Sequence, residues 1–94
     1  MTEILLWPDK DPDEILDYQM DWSSRLVGDI ISVSTWVLPV GSTLNKVAES
    51  KTTTSTTIWL SGGTLGERYE LLNRIDTAAG RKMDQTVSLI ISSK

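Results

Sequence analysis

The stretch IWLSGGTLGERYELLNRI, Ile58 to Ile75, decides the fold. It begins as an apolar strand, stops at three glycines within five residues (Gly62, Gly63 and Gly66), and resumes at Tyr69 with alternating apolar and polar residues. Glycine adopts positive φ at little cost, so the chain can turn sharply here. We interpret the segment as a corner at which the chain leaves one β-sheet and enters another.

A tyrosine directly after such a corner is typical of immunoglobulin-like and fibronectin-III-like sandwiches. In that arrangement the hydroxyl of Tyr69 reaches a backbone group of the corner while its ring joins the core. Leu60, Gly66 and Tyr69 are therefore predicted to form the structural corner. A phosphate-binding loop is rejected for GGTLG, because the Lys-Ser/Thr pair is missing and no helical pattern follows.

Period-two alternation recurs along the chain. Tyr18, Met20 and Trp22 share one face of DYQMDW, and its acids share the other. Segment 29–38 is β-branched but mixed on both faces, since Trp36 favours one face and Val33 the other. The spacing predicts strands near residues 3–7, 15–22, 29–38, 44–50, 55–60, 67–76 and 84–92. Seven short strands predict an all-β, immunoglobulin-like β-sandwich with one domain over residues 1–94.

Two polar segments are less regular. SSRLVG, residues 23–28, has the composition of a turn. KTTTSTT, residues 51–57, is low in complexity and β-branched, so we expect an exposed edge strand or a loop. As an edge, this segment would either protect the sheet or accept a strand from a partner.

The composition argues against several function classes. The 94 residues include no cysteine and no histidine, which removes thiol nucleophiles, most transition-metal ligands and the usual general base. We therefore expect no enzymatic activity, no cofactor, no metal site and no small-molecule substrate. No apolar run reaches eighteen residues and the first residues lack signal-peptide features, so we expect no membrane association.

The net charge of −4 is unevenly placed. Residues 1–21 carry seven acids and one lysine, whereas the remainder is nearly neutral. Because no basic stripe exists, nucleic acid is not an expected partner. Residues 1–14 are interpreted as an acidic lead-in, which is either a solvated segment or a contact for a basic partner. A calcium loop is rejected there, because Pro12 interrupts the acidic spacing and Glu14 stands where glycine is required.

The candidate contact surfaces are the loops 61–66 and 77–82, the exposed tryptophans and the acidic residues 9–14. If Ile58 and Leu60 point inward, Trp59 points outward, where it would bind a partner or be covered by a loop of the same chain. Trp7 has the same ambiguity. The residues predicted to contact partners are Trp59, Trp7, Gly62, Gly63, Thr64, Leu65, Arg81, Lys82, Asp9, Asp11 and Asp13.

Most of the chain resembles the small fiber-tail adaptor proteins of tailed phages and prophages. The resemblance runs from Lys10 to Ile91. Its most specific pieces are D-Y-x-x-D-W at 17–22, S-x-W at 34–36, I-W-L-S-G-G at 58–63, Tyr69, N-R-I at 73–75 and G-R-x-x-D at 80–84.

This resemblance implies an immunoglobulin-like sandwich in the virion that docks onto other virion proteins of the tail, neck or fiber and lacks enzymatic activity. We expect several copies to form a homo-oligomeric ring. The alternative is a module that binds carbohydrate or a host surface through Trp59. A polymer hydrolase using Asp17 and Asp21 is the weakest hypothesis, because these carboxylates are about 13 Å apart along an extended strand.

Overall fold

The computed structural model describes residues 4–93, which contain seven β-strands and one helical turn. The strands lie close to the positions expected from the sequence. Their bounds are β1 Ile4–Leu6, β2 Leu16–Asp21, β3 Ile31–Val37, β4 Leu44–Lys51, β5 Ser55–Gly62, β6 Arg68–Thr77 and β7 Lys82–Ile90, and helix α1 spans Ser23–Leu26.

The strands form two sheets that face each other as a sandwich. One sheet has four strands in the order β1-β7-β6-β3, and the other has three in the order β2-β5-β4. All neighbours are antiparallel except β1, which runs parallel to β7. Strands β5 and β6 are consecutive in the chain but belong to different sheets. The predictions of an all-β sandwich and of a crossing between the fifth and sixth strands are therefore confirmed.

The core lies between the sheets because alternate residues of each strand point inward. In β6 the inward positions are Tyr69, Leu71, Asn73, Ile75 and Thr77, the face that alternation predicts. The buried apolar side chains are Trp7, Tyr18, Met20, Trp22, Leu26, Ile31, Trp36, Leu44, Ile58, Leu60, Tyr69, Leu71, Ile75, Val87, Leu89 and Ile91.

One buried amide connects the two sheets through the core. The Oδ1 atom of Asn73 accepts hydrogen bonds from Trp22 Nε1 (2.8 Å) and Thr56 Oγ1 (2.7 Å). Its Nδ2 atom donates to Ser34 Oγ and to the carbonyl of Thr35, both at 3.1 Å. Asn73 thus joins β6 to its neighbour β3 and, across the core, to β5 and the start of α1 while its own polar atoms are satisfied.

The structure shows which side chains of β3 point inward, a question that its mixed faces left open. Its register against β6 shifts between Ile31 and Val33, which is a β-bulge. A bulge inserts one residue and changes the phase of the alternation. Consequently Ile31 and Trp36 are both buried although they are an odd number of residues apart, and Val33 is exposed.

The two polar segments differ in part from what the sequence predicts. Residues 23–26 form α1 rather than a simple turn, because Leu26 enters the core and the chain leaves the helix at Val27 with φ of 48°. The 51–57 segment belongs to a sheet edge only at Lys51, and the alternative of a loop holds for residues 52–54, which are exposed. It begins with the last residue of β4, turns at 52–54, and continues as the first residues of β5, which pairs with strands on both sides.

Candidate functional site

The predicted corner is held by Tyr69. Its hydroxyl accepts a hydrogen bond from the backbone N–H of Thr64 (2.8 Å) and shares another with Thr43 Oγ1 (2.7 Å). Burial acts to raise the pKa of Tyr69, but the bonds from Thr43 and Thr64 outweigh it and lower that pKa. The ring is buried between the sheets. Tyr69 therefore fixes the corner 61–66 to the loop 38–43, and its bond to Thr43 is a second contact that the sequence analysis did not include.

Positions 62 and 63 require glycine for two reasons: the backbone φ is positive, and neighbouring atoms leave no room for a Cβ atom. Both have positive φ, at 73° and 96°. A Cβ on Gly62 would lie 2.7 Å from the carbonyl oxygen of Thr43, and one on Gly63 would lie 2.7 Å from Cδ1 of Ile91. These two predicted contact residues thus shape the corner. Thr64 and Leu65, next in the chain, are exposed and available for contact.

The lead-in packs against this corner through a buried lysine. Lys10 is fully buried, and its Nζ atom donates to the carbonyls of Gly62 (2.7 Å) and Asp11 (2.9 Å). Its backbone N–H donates to the carbonyl of Ile90 (3.1 Å), at the end of β7. Sequence reasoning missed this role, since a single lysine among seven acids carries no signal of burial.

The acidic residues 9–14 form an ordered turn. The backbone N–H of Asp13 donates to Asp11 Oδ1 (2.9 Å), and that of Glu14 donates to the carbonyl of Asp11 (3.0 Å). Asp9 accepts from Ser92 Oγ (3.1 Å). Asp9 and Asp13 are exposed and Asp11 is half-buried. The turn therefore presents carboxylates at a fixed position beside the glycine corner.

Trp59 lies on the outer face of the three-stranded sheet, near the corner. Its side chain is 41% exposed, so the outward orientation holds and no loop of the described chain covers it fully. Its neighbours across the ladders are Asp17 of β2 and Ala48 of β4. Ile15, just before β2, is also exposed near this end. The alternation of β2 could have indicated that Ile15 is exposed. Leu16 and Tyr18 are each an odd number of residues from Ile15, so their side chains point to the opposite face of the sheet.

These features define what we call the corner end of the sandwich. It comprises residues 9–15, the loop 38–43, the corner 61–66 and Trp59. The strand ends that carry them are adjacent, because Leu16 pairs with Leu60 and Leu44 pairs with Gly62. Its exposed surface combines acids with the apolar side chains Ile15, Val40, Trp59 and Leu65. An apolar patch rimmed by charge is typical of a protein-binding surface.

One protein family matches most of the chain. The model of the family described as podophage GP4 fiber-tail adaptor protein gp77 matches residues 10–90. The chain belongs to this family of phage fiber-tail adaptors. The resemblance drawn from the sequence is thereby confirmed, and the protein is a structural adaptor and a component of the phage particle. A search of curated proteins gave no match.

In the adaptor, Trp7 does not form part of the exposed surface. It is buried, its ring stacks on Tyr18 at 4.6 Å between centroids, and it contacts Trp36 at 5.6 Å. The expectation that Trp7 contacts a partner is therefore wrong. The lead-in folds back over β2, where Tyr18 also donates to the carbonyl of Pro8 (3.1 Å), and this places Trp7 in the core.

Arg81 and Lys82 lie at the other end of the adaptor, which we call the hairpin end: the 77–82 loop and α1. Strand β6, with ten residues, runs between the two ends and spans about 30 Å at ~3.3 Å per residue. Arg81 donates to Asp29 (3.2 Å) and to the carbonyl of Leu26 (2.6 Å), and Lys82 pairs with Asp76 (3.0 Å). The structure does not bring these two predicted contacts together with the others.

Neither a membrane-spanning helix nor a metal-binding cluster is found within residues 4–93. No helix there is both long and apolar enough to span a membrane. No group of three or more Asp and Glu side chains there is placed to hold a metal ion, and this includes the aspartates of the lead-in.

Proposed function

We propose that the adaptor docks by its corner end onto a basic surface of a neighbouring tail, neck or fiber subunit. The observation that carries the proposal is the exposed ring of Trp59, which pairs with Asp17 across the β2–β5 ladder, at the end of the sandwich that also carries the exposed residues Leu65, Asp9 and Asp13. A few residues, often Trp, Tyr or Arg, supply most of the binding energy at protein interfaces, and a rim of acids favours a basic partner.

The corner end is suited to docking because its loops are already ordered. Tyr69, Lys10 and the Asp11 turn hold three separate segments by hydrogen bonds. Binding to such a surface requires little additional ordering of backbone, so less interaction free energy is lost on association. We propose that residues 1–94 act as one non-enzymatic docking unit and that several copies form a ring in the particle.

The proposed partners are proteins only. The basic side chains of the hairpin end bond to acids and carbonyls of the same chain and form no stripe for nucleic acid. Because the chain lacks histidine and cysteine, the proposal includes no catalytic step, cofactor or small-molecule substrate. The protein would be made in the host cytoplasm and incorporated into the virion during assembly.

The test is particle assembly with variant adaptors. A phage lacking the gene is complemented with Trp59→Ala, and the adaptor and fiber content of purified particles is measured by mass spectrometry. We expect particles with at least tenfold less bound adaptor and fiber, because truncating a central aromatic residue of an interface removes a large part of its binding free energy. Leu6→Ala is the control, because Leu6 is an exposed apolar residue on the other sheet. Normal incorporation of the Trp59→Ala protein would overturn the proposal.

A carbohydrate-binding module is the second candidate, and it rests on the exposed ring of Trp59 beside the carboxylate of Asp17 on a flat sheet face. Aromatic rings next to polar groups can stack on sugars. Binding on a glycan array that Trp59→Ala abolishes, together with normal particle assembly, would favour this function over docking.

A further inference from the structure

We propose that the free adaptor pairs with a second copy of itself through the edge strand β3, antiparallel, with Thr35 on the two-fold axis. Strand β3 is the last strand of the four-stranded sheet. It pairs with β6 on one side, and no described strand lies on its other side. An open strand edge presents unpaired backbone N–H and C=O groups, and proteins generally protect or pair such edges.

The other edges are protected, whereas residues 33–37 of β3 are not; the start of β3 is covered, because the N–H of Ile31 donates to the carbonyl of Thr53 (2.9 Å). Strand β1 has only three residues. Strand β4 has a register shift between Lys46 and Ala48, and it carries the charged residues Lys46, Glu49 and Lys51. Bulges and charged residues are the usual devices that prevent strand addition. Strand β3 contains no charged residue, and its only register shift precedes Val33.

The charge pattern also makes self-pairing through β3 more favourable than self-pairing through β2. Pairing β2 with its own copy around Gln19 would place Asp17 opposite Asp21, and like charges directly opposite each other are unfavourable. Pairing β3 around Thr35 places Val33 opposite Val37 of the second copy and Thr35 opposite Thr35. These β-branched pairs match in size and chemistry. Val33 and Val37 are 49% and 48% exposed in the single chain, so pairing would cover them.

The charges next to β3 do not oppose this pairing. On the same outer face, Arg74 donates to both carboxylate oxygens of Asp84 (2.8 and 3.2 Å), and Lys82 pairs with Asp76. Each charge near the edge thus has an opposite charge within its own chain. A second copy would bring a neutral β-branched strand against another neutral β-branched strand, forming one continuous eight-stranded sheet.

This inference does not depend on the docking proposal. A two-fold pair uses the same surface on both copies, whereas a ring needs a head-to-tail contact, so the two assemblies must use different surfaces. The pair uses β3, and docking uses the corner end. A monomeric adaptor would overturn the pair and leave docking intact, whereas normal incorporation of the Trp59→Ala variant would overturn docking and leave the pair intact.

The experiment is sedimentation velocity of the full chain over a range of concentrations. We expect the mass to rise toward twice the 10.5 kDa of one chain, with a dissociation constant on the order of 10⁻⁵ to 10⁻⁴ M because five residues per copy bury little area. Thr35→Lys should weaken the pair at least tenfold. Mixing Thr35→Lys with Thr35→Glu should restore it, since the two residues face each other only in this register.

Gln19→Lys is the matched control, because it introduces the same charge at the middle of edge strand β2. It should leave the pair unchanged. Hydrogen exchange of unmodified protein gives a second measurement: amides of residues 33–37 should exchange more slowly as concentration rises. A monomer at about 1 mM, a dimer that Thr35→Lys does not weaken, or no concentration dependence of exchange at 33–37 would each overturn the proposal.

Discussion

The two ends of the sandwich use their polar residues differently. At the hairpin end, Arg81 and Asp29 bond to each other and to backbone atoms of α1 and the 77–82 loop. At the corner end, the buried Lys10 bonds to backbone carbonyls, while Asp9 and Asp13 remain exposed. At the hairpin end the charged side chains bond within the chain and stabilise a loop, although Arg81 and Lys82 remain exposed. The corner end stabilises its loops with neutral and buried groups and leaves acids on the surface.

Charged loops can contribute both to the stability of the fold and to recognition of a partner, and the two ends of the sandwich divide these roles. A charge that is paired within the chain contributes little to recognition, because binding a partner would first require breaking that pair. An exposed acid beside an apolar side chain can contribute to both the rate and the specificity of association. The comparison therefore favours the corner end as the docking surface and assigns the hairpin end a role in stability.

The largest expected effect comes from Asn73, which ties the sheets together between the two ends. Asn73→Leu leaves the indole N–H of Trp22 and the hydroxyl of Thr56 without their acceptor in the core. Each orphaned buried group costs about 1–3 kcal/mol, so we expect a loss of about 2–5 kcal/mol in the free energy of unfolding. Urea denaturation followed by tryptophan fluorescence measures it.

Asn45→Leu is the control, because Asn45 is exposed and makes one hydrogen bond, to the carbonyl of Thr43. It should change the stability by less than about 1 kcal/mol. Equal losses in the two variants would show that the buried network has no special role in joining the sheets. Both ends should unfold together in Asn73→Leu, and loss of one end alone would contradict the network's central position.

A smaller loss of stability is expected from replacing a glycine, and it should differ between the two ends. Gly63→Ala places a methyl group 2.7 Å from Ile91 at a φ of 96°, whereas Gly80→Ala, at a φ of 88°, meets no atom within 4 Å. We expect a loss of about 2–3 kcal/mol for Gly63→Ala, from backbone strain and overpacking, and about 1 kcal/mol for Gly80→Ala from backbone strain alone. Thermal unfolding of both variants measures the difference.

The same pair tests where the partner binds. Gly63→Ala should also reduce incorporation of the adaptor into particles, because it displaces the corner, and Gly80→Ala should not. If Gly80→Ala proved the more harmful to incorporation, the hairpin end would be the docking surface. If the two variants were equally stable, the close approach of Gly63 to Ile91 would not be a real constraint on the corner.

The corner was predictable because its signals are local. Glycines that allow the turn, the tyrosine that fixes it and the alternation that follows all lie within Ile58–Ile75, so one stretch of sequence contains both the cause and its result. The exposed orientation of Trp59 followed from its inward neighbours Ile58 and Leu60. Local periodicity was sufficient wherever a strand is regular.

The features that could not be predicted depend on contacts between distant segments. Trp7 is buried because residues 7–10 fold back over β2 and β7, and nothing in WPDK indicates that path. The faces of β3 stayed ambiguous because a bulge at its start changes the phase of alternation. Lys10 becomes buried only because the carbonyl of Gly62 faces it across 52 positions of sequence.

The smallest expected effect is a difference in pH dependence between the ends. At the lead-in, burial raises the pKa of Tyr18 to about 12, and the nearby acids Glu14 and Asp9 add to the shift. The folded state therefore holds this proton more tightly than the unfolded chain does. Its contribution to stability is complete below about pH 10 and is lost as the pH rises from about 10 to about 12.

At the hairpin end the sign is reversed. Hydrogen bonds from the Thr77 hydroxyl, from backbone N–H groups and from Arg81 lower the pKa of Asp29. This contribution is complete above the usual carboxyl pKa of about 4 and is lost as the pH falls below it. Acid should thus weaken the hairpin end first, and alkali the lead-in. Amide exchange measured across the pH range would show which segment opens.

The decisive comparison uses Tyr18→Phe. The stability of the unmodified chain should fall by about 1–2 kcal/mol more than that of Tyr18→Phe between about pH 9 and about pH 12, because only the unmodified chain has the Tyr18 hydroxyl, whose proton the unfolded state releases more readily than the folded state. The variant also lacks the hydrogen bond to Pro8, but that loss is constant below pH 10 and does not affect the slope. Parallel curves would mean that Tyr18 ionises freely, and that the lead-in does not bury its ring in solution.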